Sequence, residues 1–380
     1  MSQARAKAYK AVFARGGTSK ALIFHLADLP VDREQWNGLF LSAMGSPDPY
    51  GRQLDGMGGG ISSLSKVCIV GPPSRPDADV DYTFAQVQVK DARVDYSGNC
   101  GNMSSAIGPF AVDEGLVRSD GTQTTIRIHN TNTNKIILST FPVADGRSVE
   151  RGDLVIPGVS GSGAPVRLDF LDPGGASTGK LLPTGQAEQV LSIPGVGEVA
   201  VSAVDAANAC VFLDAASLGL DGSELPDDLD TRLELLARLA LIREHASVAM
   251  GIARSLEEAR ATRLIPLLAF VSAPRESPIL DGSTLAASAV DLTVRMISNG
   301  QPHRALPLTG SLCVAVACAI PGTIPNRLVR RDRGATLRLG MPSGVIQVDA
   351  DVVQERDGAR AVRGSFYRTT RRLFAGTVHA

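Results

Sequence analysis

The sequence predicts an α+β protein of two similar domains, each a curved sheet wrapped around one narrow helix. Three observations carry this. Short runs of β-forming residues bounded by Gly, Pro, Asn and Asp dominate the chain, and helical periodicity is clear in only four places. The two halves echo each other in outline. Each half also supplies a helix so rich in Ala, Ser, Gly and Val that a strongly curved sheet can close around it.

In chain order, strands are expected at 9–14 and 21–24, around the turn Arg15-Gly-Gly-Thr-Ser-Lys, followed by a helix at 33–44. Further strands are read at 80–89, 124–129, 135–141 and 166–171, with a small-residue helix at 102–114 among them. The second half gives strands at 199–204, 210–214, 266–271, 292–297, 336–339 and 344–350 and helices at 229–250 and 310–319. The apolar stripe of the long helix at 229–250 reads as core. Ala11-Val-Phe-Ala-Arg-Gly-Gly-Thr-Ser-Lys-Ala-Leu-Ile-Phe is echoed by Val201-Ser-Ala-Val-Asp-Ala-Ala-Asn-Ala-Cys-Val-Phe-Leu. Later each half turns into its small-residue helix, through Ser97-Gly-Asn-Cys-Gly-Asn-Met and Leu308-Thr-Gly-Ser-Leu-Cys-Val. The Gly/Pro-rich segment 173–185 is the expected linker, giving domains 1–185 and 186–380, with a last strand able to return to the first domain. Two such units facing each other would put both helix N-termini in one cleft, where the site is expected.

With 38 basic and 39 acidic side chains and only 4% aromatic residues, the chain offers no phosphate-tracking patch, so nucleic acid is not an expected partner. Five cysteines at irregular spacings, without C-x-x-C or paired histidines, indicate neither a disulfide framework nor a metal centre. A reducing, cytoplasmic setting fits. The first ten residues contain no apolar leader, and no run approaches the length of a membrane span, so neither export nor a membrane partner is expected.

Lys66 and Cys100 are the candidate catalytic residues. Lys66 ends the run Asp55-Gly-Met-Gly-Gly-Gly-Ile-Ser-Ser-Leu-Ser-Lys and precedes the apolar run 67–70, a boundary that favours partial burial. Cys100 lies among Gly98, Asn99, Gly101 and Asn102 at the start of a helix, where the macrodipole favours a thiolate or a bound carboxylate. Cys68, Cys210, Cys313 and Cys318 have apolar neighbours and read as inert core. A lysine and a polarised thiol beside anion-holding loops suggest proton chemistry on a carbon acid.

Those two motifs, with Arg15-Gly-Gly-Thr-Ser-Lys, Gly163-Ala-Pro-Val, Leu181-Leu-Pro-Thr-Gly, Val294-Arg-Met-Ile-Ser-Asn-Gly, His303 and Leu308-Thr-Gly, resemble the methylaconitate isomerase (PrpF-like) family over nearly the whole chain. The resemblance implies a diaminopimelate-epimerase-like fold of mostly antiparallel sheets, with no metal and no cofactor. It also implies an allylic 1,3-proton shift on an unsaturated polycarboxylate. The match looks nearest to enzymes converting 4-oxalomesaconate to 2-keto-4-carboxy-3-hexenedioate in aromatic-acid degradation. The alternatives are 2-methylaconitate cis–trans isomerisation and two-base epimerisation. By the same resemblance Lys66 and Cys100 take the family's catalytic positions.

Epimerases of the wider fold pair two cysteines across the cleft. Here the second-domain loop reads Leu308-Thr-Gly-Ser-Leu, with Cys313 a turn into the helix, which disfavours racemisation. Lys66 is expected to act as base, with Lys20 or Arg15 as cationic neighbours, and Cys100 to return the proton. Thr18, Ser19, Ser62, Ser63, Asn99, Gly101, Asn102, Thr309, Gly310 and Ser311 are the expected carboxylate-binding residues. His303 reads as an outer packing residue. A homodimer is the default assembly.

Overall fold

The computed structural model describes residues 7–96, 99–262, 265–298, 300–332, 334–356 and 358–380. Ser97, Gly98 and Asn299 of the motifs quoted above lie outside these. The chain divides into two compact units, one running through Asp169 and taking in Tyr367–Ala380, the other spanning Phe170–Phe366. The division falls ahead of the segment 173–185 read as a linker. That segment is tied into the second unit instead: the Gly175 and Asp205 amides donate to the Asp205 and Leu181 carbonyls, and Ser177 and Thr178 donate to the Asp205 carboxylate.

In the first unit, strand Ala8–Gly16 lies antiparallel between Thr370–His379 and Ser19–His25. Ser19–His25 runs parallel to Lys66–Gly71, which is antiparallel to Val80–Val87. Val80–Val87 runs parallel to Gln123–Asn130, which is antiparallel to Lys135–Ala144. Helix Gly101–Asp113 touches strands from both ends of this series, so the sheet curls around it. Its small residues permit that closeness: a Cβ at Gly108 would lie 2.6 Å from the Ser139 hydroxyl and 2.7 Å from the Phe141 ring. Helix Glu34–Met44 covers the outer face, where Trp36, Phe40 and Met44 pack on Leu22, Phe24, Val67 and Ile69.

The second unit repeats the series of pairings. Gln189–Ile193, Gly197–Ala206 and Asn208–Asp214 are successively antiparallel, Asn208–Asp214 runs parallel to Leu267–Ser272, and that strand is antiparallel to Leu292–Ser298. Leu292–Ser298 runs parallel to Leu337–Met341, which is antiparallel to Gly344–Glu355. Helix Leu308–Ala319 is buried within this sheet, and helix Leu233–Ala249 covers its outside.

Some elements differ from expectation. The long helix expected at 229–250 is broken into Pro226–Asp230 and Leu233–Ala249, because the Thr231 hydroxyl turns back to the Asp228 carbonyl and Arg232 leaves helical geometry. Strands Lys66–Gly71, Gly358–Arg368 and Thr370–His379 were not read. The first is buried at every position and shows no alternation, and the other two are rich in arginine. Among the described residues no helix is long and apolar enough to cross a membrane.

Candidate active site

Lys66 opens the central strand of the first unit. Side chains alternate along a strand, so Lys66 and Cys68 share the face that looks toward helix Gly101–Asp113, while Val67 and Ile69 join the outer core. The paired strand adds Tyr82, Phe84 and Gln86 to the inner face, with Gln86 directly opposite Lys66. Lys66 is only 8% exposed. Its Nζ donates to Gln86 Oε1 at 2.5 Å and lies 5.0 Å from the centre of the Phe84 ring.

The expected cationic neighbours are elsewhere. Ala21 is the residue in register with Lys66, so Lys20 points to the opposite face, where its Nζ lies 5.6 Å from the Phe13 ring. The Arg15 guanidinium is directed to the Gly17 and Thr369 carbonyls, each at 2.9 Å.

Cys100 is the N-cap residue of helix Gly101–Asp113, with extended backbone and no capping hydrogen bond from its side chain. Its carbonyl accepts the Ser104 amide at 2.9 Å and the Ser104 hydroxyl at 3.1 Å. The leading amides, those of Gly101 and Asn102 included, have no acceptor earlier in the helix, so they are free to meet an anion. Cys68 links the two candidates. Burial pushes its thiol well up, the Cys100 thiol adds to this, and the Tyr82 hydroxyl and Lys66 oppose it. Tyr82, 3.8 Å from Cys68, is pushed up by burial and then by Cys68 and Cys100, with a Ser104 hydrogen bond opposing. The buried Cys68 thiol thus feels the charge of both Lys66 and Cys100.

The turn Gly16–Ser19 is built against the same helix end. Gly17 has φ +53°, and a Cβ there would lie 2.2 Å from Asn102 Oδ1. The close approach lets Asn102 Nδ2 donate to the Thr18 hydroxyl at 3.1 Å, while Asn102 Oδ1 accepts from Arg368 Nε at 3.1 Å. Arg368 is 7% exposed, and burial lowers its pKa to about 10. Asn99 Oδ1 accepts from Ser104 and Asn130, each at 3.3 Å. Ser19 is buried at the start of its strand. The Ser62 carbonyl accepts from Gln86, and Ser63 is half-buried beside it.

Thr309, Gly310 and Ser311 form the first turn of helix Leu308–Ala319 in the second unit, whose N-cap is Pro307. The half-buried Thr309 accepts from Asn208 Nδ2 at 3.4 Å. Ser311 differs from expectation: its amide donates to the Pro307 carbonyl and its hydroxyl to the Leu308 carbonyl, both at 2.8 Å, so neither donor faces outward. Cys313 is fully buried, its Sγ donating to the Val204 carbonyl at 3.4 Å. His303 is half-buried, and burial lowers its pKa.

Sequence reading missed Gln86, Phe84, Tyr82, Arg368 and Asn208 as neighbours of the candidate residues. Cross-strand register brings in the first three, which no local motif announces, and Arg368 arrives 266 residues after Asn102. Among the described residues no three His, Cys, Asp or Glu side chains gather as metal ligands. A buried lysine amine and a half-buried thiol at the cap of the facing helix, beside that helix's leading amides, are groups that can remove and deliver protons next to a bound anion.

Known proteins are similar to this chain over nearly its whole length. The 3-methylitaconate isomerase of Eubacterium barkeri is 42% identical over 372 residues, covering 97% of this chain and 96% of that protein. A 2-methyl-aconitate isomerase of Shewanella oneidensis is 37% identical, with 97% and 96% covered. A (4E)-oxalomesaconate Delta-isomerase of Novosphingobium sp. is 36% identical, with 96% and 95% covered. The crystal structure of a methylitaconate-delta-isomerase superposes with a TM-score of 0.92 at 40% identity, covering 99% of this chain and 96% of that one. A hydroxyproline epimerase from Agrobacterium vitis, 11% identical with a TM-score of 0.50 over 99% and 94%, shares the fold. The family described as PrpF protein matches residues 6–380, and the chain belongs to that family and is an isomerase.

Proposed function

We propose that this isomerase moves a carbon–carbon double bond in an unsaturated polycarboxylate by a 1,3-proton shift, with Lys66 and Cys100 as the acid/base pair. The observation that carries the proposal is a lysine buried on the sheet face that looks toward helix Gly101–Asp113, whose N-cap residue is Cys100. Lys66 takes the proton from the allylic carbon. The electron pair left behind spreads through the double bond into a carboxylate, and the leading helix amides and the Thr18 hydroxyl offset the charge developing on its oxygens. Cys100 gives its proton to the far carbon, and a proton passes back from Lys66 to restore both groups, so the net change is migration of the bond. Thr309 and Gly310 are proposed as carboxylate-binding residues of the second unit.

For the acid itself, the family resemblance read from the sequence as a whole favours 4-oxalomesaconate. The higher identity of the 3-methylitaconate isomerase, 42% against 36%, favours a smaller methyl-bearing acid as the second reading. The test is incubation of the purified protein with 4-oxalomesaconate, 3-methylitaconate and 2-methylaconitate in deuterated water, followed by proton NMR. One of the three should show a shifted double bond with deuterium at the new C–H. Exchange at a saturated stereocentre without bond migration would reject the 1,3-shift in favour of epimerisation.

A further inference from the structure

We propose that Gln86 is the positioning residue for Lys66, its side-chain amide fixing where the amine can sit during proton transfer. This rests on the reading of Lys66 as the base. Gln86 stands opposite Lys66 in the antiparallel pair, and Oε1 accepts from Nζ at 2.5 Å. The amide has one workable orientation. Its Nε2 donates to the Ser65 carbonyl at 2.9 Å, the Ser62 carbonyl at 3.0 Å and the Val87 carbonyl at 3.3 Å. Carbonyls only accept, so a flipped amide would set oxygen against oxygen there and an N–H group against the lysine. The Phe84 ring, 5.0 Å from Nζ, closes a second side.

The choice of glutamine has a chemical reason. An amide oxygen accepts an N–H from the amine or from the ammonium, so it orients the nitrogen in both halves of a catalytic cycle. A carboxylate in its place would favour the ammonium and hinder its return to a base. The same amide ties the Ser62–Leu64 turn to Lys66, and Ser65 anchors that turn by donating to Gln53 Oε1 at 2.5 Å and the Ile61 carbonyl at 2.9 Å. Among the described residues, the titratable group that feels Lys66 is Cys68 on its own strand, which Tyr82 of the paired strand and Cys100 at the helix N-cap act on as well. The neighbour in register on strand Ser19–His25 is the neutral Ala21.

The experiment compares Gln86→Met, Gln86→Glu and Lys66→Leu, assayed with whichever of the three acids turns over, across a range of pH and with thermal melts. Gln86→Met should lower kcat by about 10²-fold, the cost of a misplaced catalytic group, with little change in KM. Gln86→Glu should move the rising limb of kcat to higher pH and regain activity there, because the carboxylate stabilises the ammonium and the base forms only at more alkaline pH. Wild-type kcat and pH profile in both variants would overturn the proposal, as would a change in KM alone. If Gln86→Met does not melt cooperatively, the Gln86→Glu profile decides: a displaced limb supports positioning and an undisplaced one overturns it. Near-normal turnover in Lys66→Leu would instead reject Lys66 as base, a failure separate from that of Gln86.

Discussion

In the first unit, the strand laid parallel to the second hairpin arm begins with Lys66, in register with Ala21; in the second unit the corresponding strand begins with Leu267, in register with Cys210. Both starting residues occur at the same offset, three positions into the preceding strand. The central helices differ in the same sense, with Cys100 at one N-cap and Pro307 at the other. Around Leu267 the packing is apolar, and a Cβ at Gly310 would meet Met296 at 2.7 Å and Leu267 at 3.1 Å. The scaffold therefore closes with leucine and proline where the first unit spends a buried lysine and an uncapped thiol. Burying a lysine is costlier than burying a leucine, so stability does not explain Lys66, in keeping with the proton-transfer role proposed for it.

Transplanting the second unit's residue is the strongest way to break this comparison. Lys66→Leu should leave the fold as stable as the parent or more so and lower kcat by about 10³-fold or more, the loss expected for a sole general base. Comparable turnover in single-turnover and steady-state assays would refute the asymmetry. Next in size, Cys100→Ser should abolish net isomerisation while deuterium still enters the starting acid at the carbon facing Lys66, as read by NMR. Loss of both isomerisation and exchange, with binding intact, would assign the first deprotonation to Cys100.

Asn102→Ala should act on binding and stability together. It removes the donor to Thr18 and leaves the buried Arg368 Nε without that acceptor, costing about 1–3 kcal/mol in calorimetric stability, with a raised KM. Thr309→Ala sharpens the contrast from the other side: loss of one hydroxyl is worth about 0.5–1.5 kcal/mol, which should appear in KM and leave kcat unchanged. Cys313→Ala should be smallest, with kcat near wild type and stability lower by about 1 kcal/mol. A collapse of turnover in Cys313→Ala would restore a two-base mechanism.

The fold was legible because its signals are local. Glycine and proline punctuation marks the hairpins, and small residues mark both central helices, so the elements at 9–14, 21–24 and 102–114 were placed within a few residues of Ala8–Gly16, Ser19–His25 and Gly101–Asp113. Lys66 and Cys100 were legible as candidates for the same reason, each standing at a visible change from polar loop to structured run. Gln86 was not, since only the register of two strands twenty residues apart sets it against Lys66. Arg368 and Ser311 show two further limits of local reading: one reaches the helix end from a strand 266 residues later, and the hydrogen bonds of the other within its own helix are visible only in the structure.

Strand Ala8–Gly16 has Thr370–His379 along its outer edge, the Arg15 carbonyl accepts the Thr370 hydroxyl at 2.8 Å, and Arg368 reaches Asn102. During synthesis these partners leave the ribosome more than 350 residues after the turn they stabilise. Domains otherwise fold as they emerge, yet the nascent first unit must wait with an unpaired edge strand and an unsupported Thr18 turn until the second unit has been made. Completion of the candidate site is thus coupled to synthesis of the segment Tyr367–Ala380, and nascent chains that stop short of it should remain inactive and exposed to chaperones.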